Sequence, residues 1–88
     1  MFTPRILKSA SRELERLNPA VARRLVDRIR WLAENIEHIR PEPLKGDLAG
    51  FFKLRDGDYR VVYEILHKER LVVIHSVGHR SKIYNKRK

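Results

Sequence analysis

The sequence contains no cysteine, few glycines and prolines, and about half as many acidic as basic residues. Without cysteine, the chain has no disulfides, thiol nucleophiles or thiolate zinc ligands. Its apolar runs are short, as in residues 71–74, whereas a membrane-spanning helix needs about 20 apolar residues. The first residues also lack the apolar core of a signal peptide. We therefore expect a cytoplasmic protein without a membrane segment.

The length and the charge of the chain are informative. Its 88 residues suit one domain over 1–88, and 20 Lys and Arg against 11 acids give a net charge of +9. The excess is uneven, because residues 45–88 carry eleven basic and five acidic side chains, whereas residues 1–44 carry nine and six. A strongly basic domain favours a polyanionic partner such as nucleic acid over the alternative of a well-solvated surface with a basic tail.

The first half of the chain has helical periodicity. Ser9 or Ser11 is the expected N-cap of a first helix, and Asn18 with Pro19 is expected to begin a second one. The second helix carries an apolar stripe at helical spacing, formed by Val21, Leu25, Ile29, Leu32 and Ile36. Residues 2–7 are ambiguous, since the pattern suits both a helix start and a short edge strand.

The second half has strand patterns. Asp56-Gly57-Asp58 lies between the strand-like runs 51–55 and 59–66, which predicts a β-hairpin, and a third strand is expected over 71–77. Gly78 is expected to end that strand, and residues 81–88 to form a helical turn or an irregular tail. The fold class is therefore α+β, with a two-helix antiparallel hairpin packed on one face of an antiparallel sheet.

The other face of this sheet is expected to be open and basic. Strand alternation separates the apolar face from a second face that carries cations, and residues after Gly78 extend it. The candidate residues are Lys45, Lys53, Arg55, Arg60, His79, Arg80, Lys82 and Tyr84. Arg and Lys suit phosphate oxygens. We expect no metal and no cofactor, because the histidines lack metal-site spacing and no Gly-rich phosphate loop is present.

Two functions fit such a set of cations. RNA supplies its own 2′-hydroxyl nucleophile, so a base, cationic donors and an acid are sufficient for cleavage. A lysine among cations is a candidate base, since neighbouring positive charge lowers its pKa. The alternative is that the same residues only hold the nucleic acid backbone.

Several other residues are expected to have structural roles. Tyr59 and Tyr63 alternate with Val61 and are predicted to pack in the core or on the sheet. We expect Trp31 at the edge of the core, His75 as a packing residue with its polar atoms satisfied, and Glu64 as a salt-bridge partner within the sheet. Arg55 suits fold support and RNA contact equally well.

Four segments together resemble the RelE/ParE toxin superfamily, and RelE-type messenger-RNA interferases in particular. They are LKG (44–46), FKLRDGDYRVVY (52–63), VGHR (77–80) and IY (83–84). The resemblance covers nearly the whole chain and implies a short N-terminal strand, two helices, three further strands and a basic C-terminal tail or short helix. It also implies cleavage of messenger RNA in the A site of the 70S ribosome, contact with ribosomal RNA, and silencing by a cognate antitoxin.

The resemblance implies roles for individual residues. Lys53 matches a candidate general base, Arg60 an arginine that stabilises the transition state, and Arg80 an arginine that binds phosphate or protonates the leaving group. Tyr84 matches a tyrosine that stacks on a substrate base, and Lys45 a contact to ribosomal RNA.

The sequence departs from the RelE pattern at several positions. Phe51 stands where RelE has a second lysine, so this side chain can stack on a base but cannot move a proton. His79 stands at a position where the family can have lysine, and it is a candidate to share in acid–base catalysis. Lys82 and Arg55 are further candidate RNA contacts, and the spacing from Arg80 to Tyr84 is shorter than in RelE. A ParE-like toxin that inhibits DNA gyrase and a non-catalytic RNA-binding module remain the alternatives.

Overall fold

The computed structural model describes residues 1–83, which run through one strand, two helices and four further strands. The elements are β1 (Thr3–Ile6), α1 (Lys8–Glu15), α2 (Pro19–Asn35), β2 (Glu42–Pro43), a 3₁₀ turn (Gly46–Leu48), β3 (Phe52–Asp56), β4 (Tyr59–Leu66) and β5 (Leu71–His79). This order confirms the α+β class and identifies the ambiguous N-terminal segment as a strand. The expected C-terminal tail falls mostly outside the described residues.

The five strands form one mixed sheet in the order β1-β5-β4-β3-β2. β2, β3, β4 and β5 pair antiparallel, whereas β1 lies parallel to β5. The sheet thus adds two features to the sequence prediction, the parallel edge strand and the two-residue strand β2. Each edge strand contains a proline, Pro4 in β1 and Pro43 in β2. Proline is tolerated in an edge strand, because its missing N–H can face away from the neighbouring strand and removes no hydrogen bond of the sheet.

The predicted hairpin between β3 and β4 is confirmed. Asp56 pairs with Tyr59, which leaves Gly57 and Asp58 as a two-residue loop, and Gly57 adopts φ +60°. Glycine takes this left-handed conformation at little cost. β5 extends beyond Gly78 to His79, because β4 continues to pair with it up to Tyr59.

α1 begins differently from the prediction. Leu7 precedes its first residue and makes no side-chain cap, so neither Ser9 nor Ser11 is the N-cap. The hydroxyl of Ser9 instead donates to the carbonyl of His75 at 3.1 Å, and a carboxylate oxygen of Glu13 accepts from the backbone N–H of Val77 at 2.8 Å. Side chains of α1 therefore form hydrogen bonds with backbone groups of β5 that lie beyond residues 71–74, where β1 pairs with this strand.

α2 has the predicted N-terminus. Asn18 Oδ1 accepts from the backbone N–H of Ala20 at 2.9 Å, and Pro19 is the first helical residue. Leu25, Ile29 and Leu32 are fully buried. The apolar stripe therefore faces the sheet, as its spacing predicted.

The core lies between the helices and one face of the sheet. The sheet contributes Leu54, Val61, Tyr63, Val72, Ile74 and Val77 to it. Tyr63 is a core residue and Tyr59 packs against the core, as predicted. Trp31 lies on the surface of α2 at 38% exposure, with the Arg28 guanidinium 4.2 Å from its ring centroid. Within residues 1–83, no helix is long and apolar enough to cross a membrane.

Candidate functional site

Three cations occupy neighbouring positions on the face of the sheet away from the helices. Arg55 on β3 pairs with Arg60 on β4, and Lys53 pairs with Val62. Because alternate residues of a strand share a face, the three cationic side chains belong to the face opposite Leu54 and Val61. We call this surface the open face. Like charges on directly opposed residues are unfavourable, so these cations need acceptors nearby.

Glu42 on β2 supplies the acceptor for two of these cations. Its carboxylate accepts two hydrogen bonds from Arg55, at 3.1 and 2.7 Å, and lies 3.4 Å from Lys53 Nζ. The hydrogen bond from Arg55 holds the pKa of the Glu42 carboxyl below its usual value. One carboxylate thus holds Lys53 and Arg55 together at the β2 edge of the sheet. This role of Glu42 is not evident from the sequence, because the residue lies between two prolines in a segment without periodicity.

Arg60 has neutral partners. Its Nη1 donates to the backbone carbonyls of Gly57 and Tyr59, each at 2.8 Å, and it forms no ion pair with an acid of residues 1–83. These bonds fix the guanidinium beside the β3–β4 turn without neutralising its charge. Since arginine has five N–H donors, others remain for a phosphate.

The end of β5 brings His79 and Arg80 to the same turn. The backbone N–H of Arg80 donates to the carbonyl of Asp58 at 2.8 Å, and its Nε lies 3.7 Å from the Asp58 carboxylate. The Tyr59 and His79 rings meet edge to face, with centroids 5.6 Å apart. Arg60 pairs with Gly78, which lies two residues before Arg80. Arg60 and Arg80 therefore lie at the same end of the open face.

His79 is held by the segment that follows it. Its Nδ1 accepts from the backbone N–H of Ser81 at 3.2 Å and lies 2.8 Å from the Ser81 hydroxyl. The backbone N–H of Lys82 donates to the carbonyl of His79 at 2.9 Å, and the Lys82 side chain is exposed. His79 is therefore the last residue of β5, and Lys82 lies in the turn that follows it.

A second group on the open face surrounds His75. The rings of Phe51 and His75 meet edge to face at 4.8 Å, and His75 Nε2 lies 2.7 Å from a carboxylate oxygen of Glu64. His75 is the extra residue of a bulge, because Val62 pairs with Ser76 and the next residue of β4 pairs with Ile74. The predicted pairing of Glu64 within the sheet is confirmed, and so is the satisfied side chain of His75.

The remaining candidates lie elsewhere. Lys45 is exposed before the 3₁₀ turn, and its side chain makes no hydrogen bond or ion pair within residues 1–83. Tyr84 lies outside the described residues. In residues 1–83, no three histidine or acidic side chains converge as a metal-binding group. The arrangement brings together Lys53, Arg55, Arg60 and Arg80, a set of donors suited to phosphate oxygens.

Comparison with known proteins identifies the class to which this fold and cation set belong. Residues 5–84 match the family model described as ParE toxin of type II toxin–antitoxin systems. Toxin RelG of Mycobacterium tuberculosis is 35% identical over 97% of this chain and 98% of its own length. Toxin RelE of the same organism is 37% identical over 90% of this chain and 81% of its own.

Solved structures agree with this assignment. The toxin–antitoxin complex RelBE2 from Mycobacterium tuberculosis contains a chain that matches with a TM-score of 0.82 and 33% identity, over 92% of this chain and 93% of that one. The isolated Escherichia coli RelE toxin shares the fold with a TM-score of 0.73 at 23% identity, over 99% and 95% of the two chains. The protein is thus of the type II toxin class. Within that class, the chain belongs to the RelE/ParE family, on the side of its RelE-type members.

Proposed function

We propose that this toxin is an endoribonuclease that cleaves messenger RNA in the A site of the 70S ribosome without a metal ion. The observation that carries the proposal is the placement of Arg60. Two backbone carbonyls fix its guanidinium, no acid of residues 1–83 neutralises it, and it lies on the same face as Lys53 and at the same end as Arg80. Fixed, uncompensated donors of this kind stabilise the charge that develops on a phosphate in the transition state.

The reaction uses the RNA's own nucleophile. A base removes the proton of the 2′-hydroxyl, and the oxygen attacks the adjacent phosphorus. The bond from phosphorus to the 5′-oxygen then breaks, and an acid protonates that oxygen. The products are a 2′,3′-cyclic phosphate and a 5′-hydroxyl, so atoms and charge balance without a co-reactant.

Individual residues take the roles that the resemblance implies. Lys53 is the proposed base, Arg60 stabilises the transition state, and Arg80 binds the phosphate or protonates the leaving oxygen, with His79 sharing acid–base work. Tyr84 is proposed to orient a base. The proposed contacts to messenger or ribosomal RNA are Lys45, Phe51, Arg55 and Lys82.

A toeprinting experiment on translating ribosomes tests this function. The wild-type protein should produce cuts within the A-site codon, and the Arg60→Ala/Arg80→Ala variant should not. The matched control is Arg12→Ala/Arg23→Ala, which removes the same charge from exposed helix positions and should cut like the wild type. Equal cutting by the wild type and the Arg60/Arg80 variant would refute the proposal.

A second part of the proposal is a cognate antitoxin. Two similar structures are toxin–antitoxin complexes, RelBE2 from Mycobacterium tuberculosis and RelBE from Escherichia coli. We propose that a small protein encoded beside this chain binds and silences it, and that both act in the cytoplasm, where ribosomes are found. Co-expression of the neighbouring reading frame should relieve growth arrest and yield a co-purifying complex. Persistent arrest with every neighbouring frame would contradict this.

The ParE description of the matching family model supports one alternative, inhibition of DNA gyrase. A supercoiling assay separates the two activities. Under the leading proposal, gyrase should retain full activity at toxin concentrations that stop translation. Inhibition of gyrase together with intact A-site codons would establish the alternative.

A further inference from the structure

A small cavity lies where the β2 edge of the sheet meets α2 and the segment before β2. Its volume is about 220 Å³. Cationic and polar side chains from α2, β2, β3, β4 and the segment before β2 line it, namely Arg28, Arg40, Glu42, Lys53, Arg55 and Tyr63. Lys53 and Arg55 also belong to the open face, so the cavity borders the proposed cleavage site.

The charge of this cavity is strongly unbalanced. Among residues 1–83, Glu42 is the only acid in its lining, and its carboxylate already contacts Lys53 and Arg55. Arg40 makes no hydrogen bond or ion pair within residues 1–83, and Arg28, whose guanidinium lies 4.2 Å from the centroid of the Trp31 ring, forms no ion pair there. Four cations therefore share one carboxylate, and two of them have no acidic partner among the described residues. Such a site attracts anions.

Tyr63 provides a second, independent indication of a ligand. Only 1% of this residue is exposed, and its hydroxyl makes no hydrogen bond within residues 1–83. Burial, with a smaller effect of the Glu42 charge, raises the pKa of Tyr63 to about 12, so the hydroxyl remains a neutral donor at neutral pH. A buried polar group without a partner is costly, and a ligand oxygen in the cavity would satisfy it.

We propose that this cavity binds a second phosphate of the substrate RNA, adjacent to the phosphate that is cleaved. The inference rests on the proposed function for the identity of the substrate, and on the cavity itself for the chemistry. A volume of about 220 Å³ lies below the range of roughly 300–1,000 Å³ typical of cofactor and drug-sized sites, so a single anionic group suits it better than a nucleobase. Lys53 and Arg55 line the cavity and also belong to the open face, so the second phosphate would lie next to the proposed cleavage site.

The test uses RNA that cannot be cleaved. A short, fluorescently labelled RNA carrying 2′-O-methyl groups lacks the nucleophile, and its affinity can be measured by anisotropy over a range of salt concentrations. Arg28→Gln/Arg40→Gln should weaken binding about tenfold more than the charge-matched control Arg12→Gln/Arg23→Gln. The salt slope should also fall by about 0.7 for one lost phosphate contact on a single strand, relative to that control. Equal affinities and slopes for the two variants would overturn the inference.

Tyr63→Phe gives a second readout that is independent of net charge. This variant removes only the buried hydroxyl, so it should bind the same RNA several-fold more weakly while its Tm stays unchanged or rises. Unchanged RNA affinity would count against a phosphate in the cavity. A lower Tm together with unchanged affinity would assign the hydroxyl a purely structural role and likewise contradict the inference.

Two further comparisons distinguish the substrate from other anions. In spectra of the Arg Nε–Hε groups, the 2′-O-methyl RNA should shift the Arg28 and Arg40 signals, whereas an Asp-rich peptide of equal charge should not. A shift with the peptide alone would overturn the proposal and indicate a protein partner. If the wild type binds RNA through these arginines but leaves ribosome-bound messenger RNA uncut, the phosphate site stands and the proposed cleavage fails.

Discussion

On the helix side of the sheet, β4 presents Val61 and the ring of Tyr63 to the apolar core, whereas the neighbouring positions Arg60 and Glu64 lie on the open face. The open face has buried apolar positions too, since Val62 is 6% exposed, but cations and polar side chains surround them. Both faces share the same strands and the same backbone hydrogen bonds. Along β4, the residues that pack in the core therefore alternate with residues of the face on which we propose that phosphate binds.

Mutations on the two faces of the sheet should therefore have different effects. A change on the helix side removes buried apolar contacts and lowers the free energy of unfolding. A change on the open face removes a proposed phosphate donor and should leave the core intact. The four predictions below test this separation, from the largest expected effect to the smallest.

Ile74→Ala should have the largest effect on stability. Ile74 on β5 is fully buried, and truncation of such a residue costs about 2–5 kcal/mol. Ser76→Ala, on the same strand but outside the core cluster, should change the free energy of unfolding by about 0.5 kcal/mol or less. Urea titrations of the two variants measure both values. Similar destabilisation by the two changes would show that the open face also carries the fold.

Arg60→Ala should show the reverse behaviour. Loss of one fixed donor to a developing charge typically lowers the rate about 10²–10³-fold. The melting temperature should stay close to that of the wild type, because Arg60 bonds only to carbonyls of the β3–β4 turn and to no acid of the described chain. Single-turnover cleavage on programmed ribosomes and a thermal melt measure the two effects. A slowed reaction accompanied by a much lower Tm would mean that Arg60 acts through the fold.

Asn18→Ala tests whether the helix layer is independent of the site. The change removes the N-cap hydrogen bond of α2, which is worth about 0.5–2 kcal/mol. Ser11→Ala, at an exposed position within α1, should be nearly neutral. Cleavage by both variants should match the wild type below their melting temperatures. Reduced cleavage by the folded Asn18 variant would instead couple the helix layer to the open face.

Glu42→Gln should have the smallest effect, and that effect should depend on pH. The folded-state pKa of Glu42 is lowered, so its contribution to stability is present above the unfolded value of about 4.3 and is lost as pH falls through the folded value. The Tm difference between wild type and Glu42→Gln should therefore shrink from pH 7 towards pH 3. Glu34→Gln, an exposed acid on α2 without an ion pair in residues 1–83, should show no such trend. A difference that grows in acid would contradict this linkage.

Much of the fold follows from local signals in the sequence. Asn18-Pro19, the apolar stripe of α2 and Asp56-Gly57 are short-range patterns with a direct structural cause, and each is confirmed. The two residues of β2 carry no periodicity, and their pairing with β3 depends on the tertiary fold. The serine caps were wrong because Ser9 bonds to β5, a contact between residues 66 positions apart.

The candidate site was predictable only in part. Strand alternation placed Lys53, Arg55 and Arg60 on one face correctly. Glu42 and Arg40 could not be assigned to the same site, because they come from irregular segments that meet β3 only after folding. The catalytic and binding roles proposed for the residues of this site remain predictions.

The prolines of the two edge strands have a consequence for self-association. β1 and β2 are the two edge strands of the sheet. Pro4 removes one backbone N–H donor from the edge at β1, and Pro43 removes one from the edge at β2. A second copy of the chain that approached either edge strand would meet an edge with one hydrogen-bond donor missing, and its own net positive charge would repel it. Both features disfavour edge-to-edge stacking of copies of this chain, and a strand from another protein that paired at either edge would have one backbone carbonyl left without a donor.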